Sequence, residues 1–247
     1  MTEVPVYTAE QVRAAERPLL AARQPLMARA AAALAEVIRT VFEQEHETPH
    51  PDAEPVESAS VHAPHVLVIA GSGDNGGDAL YAAAHLADEI DVDVITVGAR
   101  VHDMGLATAL GAGARRVEVP ALRHSARDYD IIVDGILGIG VRELDLRGNA
   151  REVVEALLPA VQDGRSRVVA VDLPSGLHPD TGEVGETVLP ASVTVTFGAV
   201  KAGLVQGRGP EYAGKIVLAD IGIGANLEGF LPVGSAEVDR VIDSTGG

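Results

Sequence analysis

Short runs of valine and isoleucine alternate with helical patterns from residue 65 onwards, and this alternation limits the possible folds. Apolar strands of this kind are typical of parallel sheets that are buried on both faces. Strands that alternate with helices predict a parallel sheet covered by helices on both sides. The predicted fold class is therefore α/β, a three-layer α/β/α, doubly wound, Rossmann-like sheet that is mostly parallel. We predict strands at residues 65–70, 92–97, 115–118, 130–134, 167–172, 191–197 and 215–219.

The remaining pattern places helices at 77–89, 102–112 and 148–163, and a turn near 181–188. A Gly/Pro loop, not a helix, joins the last two predicted strands. We therefore expect these two strands at the edge of the sheet and antiparallel to each other.

Residues 8–42 form a helical pattern that we expect to pack on the sheet. Thr8 and Gln11 have the spacing of a capping box, and Pro18 and Pro25 predict a break into two helices. The whole chain, 1–247, is predicted to be a single domain with no internal repeat.

An acidic, proline-rich stretch at 43–64 contains no Lys or Arg and predicts a mobile surface insertion. It also holds His46, His50 and His62. A metal site there is the less favoured alternative, because the spacing is irregular and the prolines disfavour a helix.

The net charge of −17 argues against nucleic acid and anionic membranes as partners. No cysteine is present, so disulfides and thiolate metal sites are excluded, and a cytoplasmic location is the simplest prediction. Charged residues interrupt the alanine-rich stretch 19–38, which therefore does not predict a membrane span. The first residues carry no pattern of a secretory signal.

Four of the predicted strands end in loops that combine glycine with polar residues. These are Gly71-Ser72-Gly73-Asp74-Asn75-Gly76-Gly77-Asp78, Asp134 with 135–142, Asp172-Leu173-Pro174-Ser175-Gly176, and Gly198-Ala199-Val200-Lys201-Ala202-Gly203. Parallel strands bring their carboxyl ends to one edge of a sheet, where α/β proteins bind ligands. The sequence therefore predicts a ligand site at that edge.

Several of these residues also have a purely structural interpretation. Asp78 is placed to cap a helix, and Ser175 to close a turn. Asp134 and Asp172 lie at the ends of apolar runs, where a carboxylate costs several kcal/mol (~3 or more) unless it is paired. Lys201 is one of only two lysines among the 19 Lys and Arg residues, which favours a role that Arg cannot fill.

Common nucleotide-binding and hydrolase motifs fit poorly. No Gly-x-x-x-x-Gly-Lys-Ser/Thr loop occurs, and no Gly-x-Ser-x-Gly elbow is present. Gly71, Gly73 and Gly76 formally match Gly-x-Gly-x-x-Gly, but no acidic residue closes a second strand about 20 residues on. An ordinary NAD-dependent dehydrogenase is therefore disfavoured.

Together the four loops resemble the NAD(P)H-hydrate epimerase family. The N-terminal Tyr7-Thr8-Ala9-Glu10-Gln11-Val12-Arg13 and the late Ala219-Asp220-Ile221-Gly222-Ile223 are also similar to that family. The resemblance implies repair of hydrated NADH and NADPH, whose R and S forms are interconverted for a separate dehydratase. The alternative is a non-catalytic dinucleotide-binding or interaction module of the same fold.

The resemblance also implies roles for single residues. Asp134 and Lys201 would be the acid–base participants, and Asn75, Asp134 and Ser175 would hold a potassium ion. The substrate-binding residues would be Asp74, Asn75, Gly76, Gly77, Asp78, Gly138, Ile139, Gly140, Val141, Arg142, Glu143, Leu144 and Asp172. A carboxylate near a lysine fits the proton transfer that the reaction needs, and glycine N–H groups fit the pyrophosphate.

Two positions depart from the family pattern. Asp74 stands where the family usually has Asn, and a carboxylate there would repel a pyrophosphate. Val200 stands where Pro usually precedes the lysine, a change expected to loosen the loop that carries Lys201. The family also predicts a homodimer and a functional partner dehydratase, which in some members is fused to this domain.

Overall fold

A computed structural model describes residues 1–47, 64–140 and 143–246 of the chain. The strands are β1 (Thr2–Tyr7), β2 (His65–Ala70), β3 (Asp91–Thr96), β4 (Arg115–Arg116), β5 (Ile131–Gly135), β6 (Arg167–Val171), β7 (Val193–Phe197), β8 (Val200–Lys201), β9 (Lys215–Asp220), β10 (Gly234–Val238) and β11 (Arg240–Asp243). The helices are α1 (Ala9–Ala21), α2 (Leu26–Glu47), α3 (Asp74–Leu86), α4 (Asp103–Gly111), α5 (Val119–Ser125), α6 (Asn149–Gln162), α7 (Ala202–Val205), α8 (Gly209–Ala213) and α9 (Gly224–Leu227).

The main sheet has eight strands in the order β11-β9-β7-β6-β5-β2-β3-β4. Every neighbouring pair in it is parallel, which confirms the predicted α/β class. The expected antiparallel pair was wrong: β7 and β9 are parallel, and β11 extends the sheet beyond them. Short helices α7 and α8 occupy the connection that the Gly/Pro content predicted as a loop.

A second sheet of three strands, in the order β10-β1-β8, was not predicted. In it β1 pairs antiparallel with β10 and parallel with β8. Tyr7 lies opposite Lys201 in this pairing, so the second sheet holds the segment that carries the buried lysine. Sequence patterns miss these strands because they pair with residues far away in the chain, and β8 has only two residues.

The two N-terminal helices form as predicted, with one difference. Thr8 and Gln11 make both hydrogen bonds of a capping box at the start of α1. Pro18 lies inside α1 and does not break it, because only the last turn of the helix follows it. The break falls before Leu26, and α2 extends to Glu47, five residues into the predicted insertion. The rest of that insertion, 48–63, lies outside the described residues.

Residues of β2 alternate between two cores, one on each face of the main sheet. Val66 and Val68 pack with α2 and α3, whereas Leu67 and Ile69 pack with α5 and α6. Successive side chains of a strand point to opposite faces, so a strand buried on both sides is apolar throughout. No helix in the described part of the chain is long and apolar enough to cross a membrane.

At the amino ends of β2 and β3, polar side chains converge on the buried Asp93. Its carboxylate lies 3.0 Å from His65 Nε2, and it accepts hydrogen bonds from Arg115 Nε at 3.0 Å and from the Tyr129 hydroxyl at 3.0 Å. Burial and this carboxylate raise the pKa of Tyr129 to about 12. These contacts join β2, β3, β4 and the segment that precedes β5, at the end of the strands opposite the polar loops.

We predict that Asp93→Ala lowers the free energy of unfolding by about 2–4 kcal/mol, because the substitution removes the shared acceptor of a buried network. Urea denaturation measures the loss, and Asp91→Ala, an exposed acid of the same strand, serves as the control. A change below about 0.5 kcal/mol for Asp93→Ala, the range of ordinary surface substitutions, would contradict this interpretation.

Candidate functional site

The polar loop after β2 is shorter than predicted, because α3 already begins at Asp74. Gly73 is the N-cap and has no side chain to satisfy the first N–H groups, so these groups are available to a ligand. The capping interpretation of Asp78 was therefore wrong, since this residue lies in the second turn of the helix.

Two of the glycines in this segment are needed for packing. A Cβ on Gly71 would lie 1.9 Å from the Ile136 carbonyl oxygen, and a Cβ on Gly76 would lie 2.2 Å from the Gly71 carbonyl oxygen. Gly73, by contrast, has no atom within 4 Å of its Cβ position. The glycines thus let the start of α3 approach the end of β5, and only part of the segment faces open space.

Asn75 joins the ends of three neighbouring strands. Its Nδ2 donates hydrogen bonds to the carbonyl oxygens of Leu137 and Val171, which follow β5 and end β6. A Cβ on Gly138 would lie 2.4 Å from Asn75 Oδ1, so this glycine allows the loop to pack against the amide. Within the described residues, Oδ1 accepts no hydrogen bond and keeps its lone pairs for another group.

Asp134 is completely buried at the end of β5 and is matched to Ser175. Its carboxylate accepts hydrogen bonds from Ser175 Oγ at 2.6 Å, Ser175 N at 2.8 Å and Ile136 N at 3.3 Å. Burial still raises the pKa of the Asp134 carboxyl, although these three donors oppose the shift. Ser175 Oγ also accepts a hydrogen bond from Leu137 N at 2.9 Å, so Asp134, Ser175 and Asn75 all converge around Leu137.

Lys201 is almost fully buried and forms an ion pair with Asp172. Its ammonium group also donates to the Phe197 carbonyl oxygen at 2.8 Å and to Thr196 Oγ1 at 3.2 Å, so all three protons have acceptors. The carboxylate beside the lysine is thus Asp172, whereas Asp134 is hydrogen-bonded to Ser175. Lys215, the other lysine, is exposed.

Asp172 adopts a left-handed backbone conformation, with φ of 68°, which non-glycine residues rarely do. Its Oδ1 accepts hydrogen bonds from Phe197 N at 3.1 Å and Thr196 Oγ1 at 3.3 Å in addition to Lys201. These contacts offset the cost of the strained backbone and aim the carboxylate at the lysine. Val200, which stands where the family usually has Pro, is fully buried and pairs with Val6 of β1, so its loop is anchored in the second sheet.

A cleft of about 710 Å³ opens over these strand ends. Among the predicted substrate-binding residues, its lining includes Asp74, Asn75, Asp78, Gly138, Ile139, Gly140, Glu143 and Asp172. Three predicted residues, Gly76, Gly77 and Leu144, do not line it, and two others, Val141 and Arg142, lie outside the described residues. Asp134, Ser175 and Lys201 stand behind the lining, where they support residues that face the cleft.

Helix α1 supplies residues of the cleft that the motifs did not reveal. Arg13 and Glu16, three positions apart, both line it, while Val12 and Ala15 are buried in the helix's apolar face. Arg13 Nη1 donates a hydrogen bond to the Ile139 carbonyl oxygen at 2.8 Å, which connects α1 to the glycine-containing loop after β5. The polar i, i+3 spacing beside an apolar stripe was the available signal, but nothing in the sequence placed this helix at the cleft.

Acidic residues dominate the charge of the cleft. Burial raises the pKa of Asp78 well above its usual range, and the neighbouring charges of Asp172, Asp74 and Glu16 raise it further, whereas Lys201 lowers it. Burial likewise raises the pKa of Glu16. The cleft therefore favours a bound group that carries or develops positive charge.

Comparison with known proteins places these features in context. Residues 23–203 match the family described as YjeF-related protein N-terminus. The chain is 48% identical over 244 residues to an NAD(P)H-hydrate epimerase of Microbacterium testaceum, an alignment that covers 96% of this chain and 86% of that protein. It is 36% identical over 177 residues to a bifunctional NAD(P)H-hydrate repair enzyme of Pyrobaculum aerophilum, which covers 67% of this chain and 34% of that protein.

The crystal structure of yeast ynu0 has a similar fold. The TM-score is 0.65 at 21% sequence identity, and the match covers 81% of this chain and 83% of the yeast chain. At this identity the similarity supports the architecture.

We predict that Lys201→Met and Asp172→Asn each lower the free energy of unfolding by about 3–5 kcal/mol, because each leaves one member of a buried ion pair without its partner. The double variant should lose clearly less than the sum of the two, since it removes both charges. Chemical denaturation of the four proteins measures this coupling.

The matched control for this cycle is Lys215→Met, which changes the other, exposed lysine and should shift stability by less than about 0.5 kcal/mol. Additive losses in the double variant would show that Lys201 and Asp172 do not stabilise each other.

Proposed function

The chain belongs to the NAD(P)H-hydrate epimerase family, matched through the YjeF-related N-terminal domain, and on that premise we propose that it is an isomerase acting on hydrated NADH and NADPH. The reaction interconverts the R and S forms in nicotinamide cofactor repair. The observation that carries the proposal is the acid-lined cleft of about 710 Å³ at the carboxyl ends of the parallel strands.

The chemistry of the substrate explains why an acidic cleft is suitable. The carbon that bears the added hydroxyl is bonded to the ring nitrogen, whose lone pair helps the hydroxyl to leave as water. The resulting ring is a cation that water can attack from either face, which gives the two epimers. Acidic side chains that line the cleft, such as Asp172, stabilise that positive charge in a partly desolvated site.

Acid–base participation of Asp134 and Lys201 stays a prediction, and their contacts support a positioning role for both. Lys201 pairs with the Asp172 carboxylate and fixes its direction, and Asp134 fixes Ser175 and the backbone after β5. Neither side chain lines the cleft.

For the dinucleotide itself, we propose that the pyrophosphate binds near the uncapped start of α3 and the loop that begins at Gly138. Asp74 is exposed in the first turn of that helix, where a carboxylate opposes a phosphate. This residue is therefore expected to weaken substrate binding relative to the usual Asn.

The donors around Leu137 fit the potassium ion that the family resemblance implies. Asn75 Oδ1, Ser175 Oγ and the Asp134 carboxylate are all oxygen atoms, and together they carry one negative charge. Oxygen donors of low total charge suit a hard monovalent cation, and Oδ1 of Asn75 accepts no hydrogen bond within the described residues. When bound, the ion would supply a fixed positive charge that holds these residues in place.

We further propose that an NAD(P)H-hydrate dehydratase consumes one of the two epimers, a pairing supported by the bifunctional repair enzyme among the relatives. A homodimer and a cytoplasmic location complete the proposal. The second candidate function is a non-catalytic dinucleotide-binding module. The acid-lined cleft favours the enzyme, because acids are needed for proton transfer and for stabilising a ring cation, whereas binding a dinucleotide does not require them.

We predict that the protein accelerates recovery of NADH when the R form is supplied together with a dehydratase that accepts only the S form. The absorbance of NADH follows the reaction, and spontaneous epimerisation without the protein is the baseline. Binding of the hydrated cofactor with no increase over that baseline would favour the non-catalytic module.

We predict that potassium chloride raises the thermal unfolding temperature more than sodium chloride at equal ionic strength, because an ion bound only by the folded state stabilises it. Gly138→Ala should abolish the difference, since its Cβ would lie 2.4 Å from Asn75 Oδ1 and displace that oxygen. Gly111→Ala, which has no atom within 4 Å of its Cβ position, is the control. Equal responses to both salts in the wild type would exclude a selective potassium site.

A further inference from the structure

Asp78 is a buried acid of the cleft whose carboxyl accepts no hydrogen bond from the described residues. It is only 6% exposed, yet within residues 1–47, 64–140 and 143–246 no N–H or O–H group donates to its carboxyl. Asp134 and Asp172, which are buried to a similar degree, each accept three hydrogen bonds. A largely buried carboxyl without a protein donor favours its protonated form, or it is hydrogen-bonded by water or a ligand in the cleft.

Glu16 is a second acid without a hydrogen-bond partner in the described part of the chain, and it lines the same cleft. It comes from α1, whereas Asp78 comes from α3, so the two carboxyls reach the cleft from different elements. Both are close enough for the charge of Glu16 to act on Asp78. Among the described residues, Asp78 and Glu16 are thus the partly or fully buried carboxyls of the cleft that have no hydrogen-bond or ion-pair partner.

We propose that Asp78 and Glu16 are the proton-transfer pair of the epimerisation, and that together they hold one proton. The proposal rests on the function proposed above and assigns its acid–base step to residues outside the pair Asp134 and Lys201. For this role the nicotinamide ring must bind between α1 and α3, the two helices from which Glu16 and Asp78 line the cleft, with one carboxyl towards each face of the ring.

The step balances with one proton and one water. The protonated Asp78 carboxyl gives its proton to the hydroxyl on its side of the ring. The carbon–oxygen bond breaks, its electron pair stays with oxygen, water leaves, and the ring nitrogen lone pair forms the C=N⁺ bond. A water on the other face attacks the carbon while Glu16 takes its proton, and the product has the opposite configuration. After the step Asp78 is ionised and Glu16 holds the proton, which is the state that the reverse reaction requires.

The charges around Asp78 favour its protonated form. Burial is the largest cause of the raised pKa, and Asp172, Asp74 and Glu16 add to it. Lys201 acts in the opposite direction but is itself neutralised by Asp172. A carboxylic acid whose pKa is raised in this way is able to act as a general acid.

Charges of both signs act on Glu16. Burial raises its pKa, Lys201 and Arg13 lower it, and Asp172 and Asp74 raise it. Because Asp78 is more buried than Glu16, its pKa is raised more strongly, which makes Asp78 the better proton donor and Glu16 the better proton acceptor of the pair. One carboxyl is then ionised while the other is protonated, which is the state that the step requires.

The test measures the coupled epimerase reaction with Asp78→Asn and Glu16→Gln. We expect each to lower kcat by 100-fold or more with KM changed less than threefold, because a proton donor or acceptor is lost while the shape of the site is kept. The matched controls are Asp88→Asn, an exposed acid just after α3, and Glu10→Gln, on the exposed side of α1. Both controls should retain wild-type kcat.

The pH profile separates this role from a structural one. The wild type should show a bell-shaped dependence of kcat, because activity is lost when the pair holds either no proton or two. Residual activity of Asp78→Asn should lose the alkaline limb, and that of Glu16→Gln should lose the acid limb. In water labelled with heavy oxygen, the label should enter the hydroxyl during epimerisation, and both variants should slow this exchange by the same factor as kcat.

Stability measurements show whether the variants fold. A raised folded-state pKa means that the ionised Asp78 opposes folding, an effect absent at acid pH that grows as pH rises above the unfolded-state pKa. Asp78→Asn should therefore unfold at no lower urea concentration than the wild type at neutral pH. Loss of activity with unchanged folding then reports on chemistry alone.

Two results would overturn the proposal: kcat within threefold of the wild type for either variant, or losses that appear only in KM with both pH limbs intact. Failure of the wild type to accelerate epimerisation would instead refute the proposed function, so the two failures are distinguishable.

Discussion

The buried ion pair between Lys201 and Asp172 fixes the floor of the cleft and joins the two sheets. Asp172 follows β6 of the main sheet, whereas Lys201 lies in β8 of the second sheet. The lysine has three acceptors in three directions, namely the Asp172 carboxylate, Thr196 Oγ1 and the Phe197 carbonyl oxygen. A compact ammonium group fits that arrangement, and the planar guanidinium of arginine does not, which explains one lysine in a chain otherwise rich in arginine.

Four acids at this edge of the sheet differ in what surrounds them. Asp134 is surrounded by hydrogen-bond donors, and Asp172 is paired with a cation. Asp78 and Glu16 have neither kind of partner among the described residues, and burial raises the pKa of both. Acids with partners keep the site rigid, and acids without partners are the ones able to exchange protons. Asp134 and Asp172 therefore stabilise the site, whereas Asp78 and Glu16 are available for proton transfer.

The amino ends and the carboxyl ends of the strands in the main sheet differ in the contacts that they make. At the beginning of β2 and β3, Asp93 gathers Arg115, Tyr129 and His65 into a network that connects neighbouring segments. At the carboxyl ends, glycines remove side chains so that α3 and the loop after β5 approach each other closely. The stabilising network thus lies at the amino ends of the strands. The acid-lined cleft, whose buried carboxyls lower stability, lies at the carboxyl ends.

The sequence by itself determined the parallel α/β sheet, the capped first helix and the four polar loops, because apolar periodicity and capping are local signals. It also marked Asp134 and Asp172 as costly carboxylates that need partners, and Lys201 as a lysine in a role that Arg cannot fill. Only the tertiary structure decided that Lys201 pairs with Asp172, that β1 and β8 form a second sheet, and that Arg13 and Glu16 of α1 line the cleft. These features depend on contacts between residues far apart in the chain, for which a single sequence carries no periodic signal.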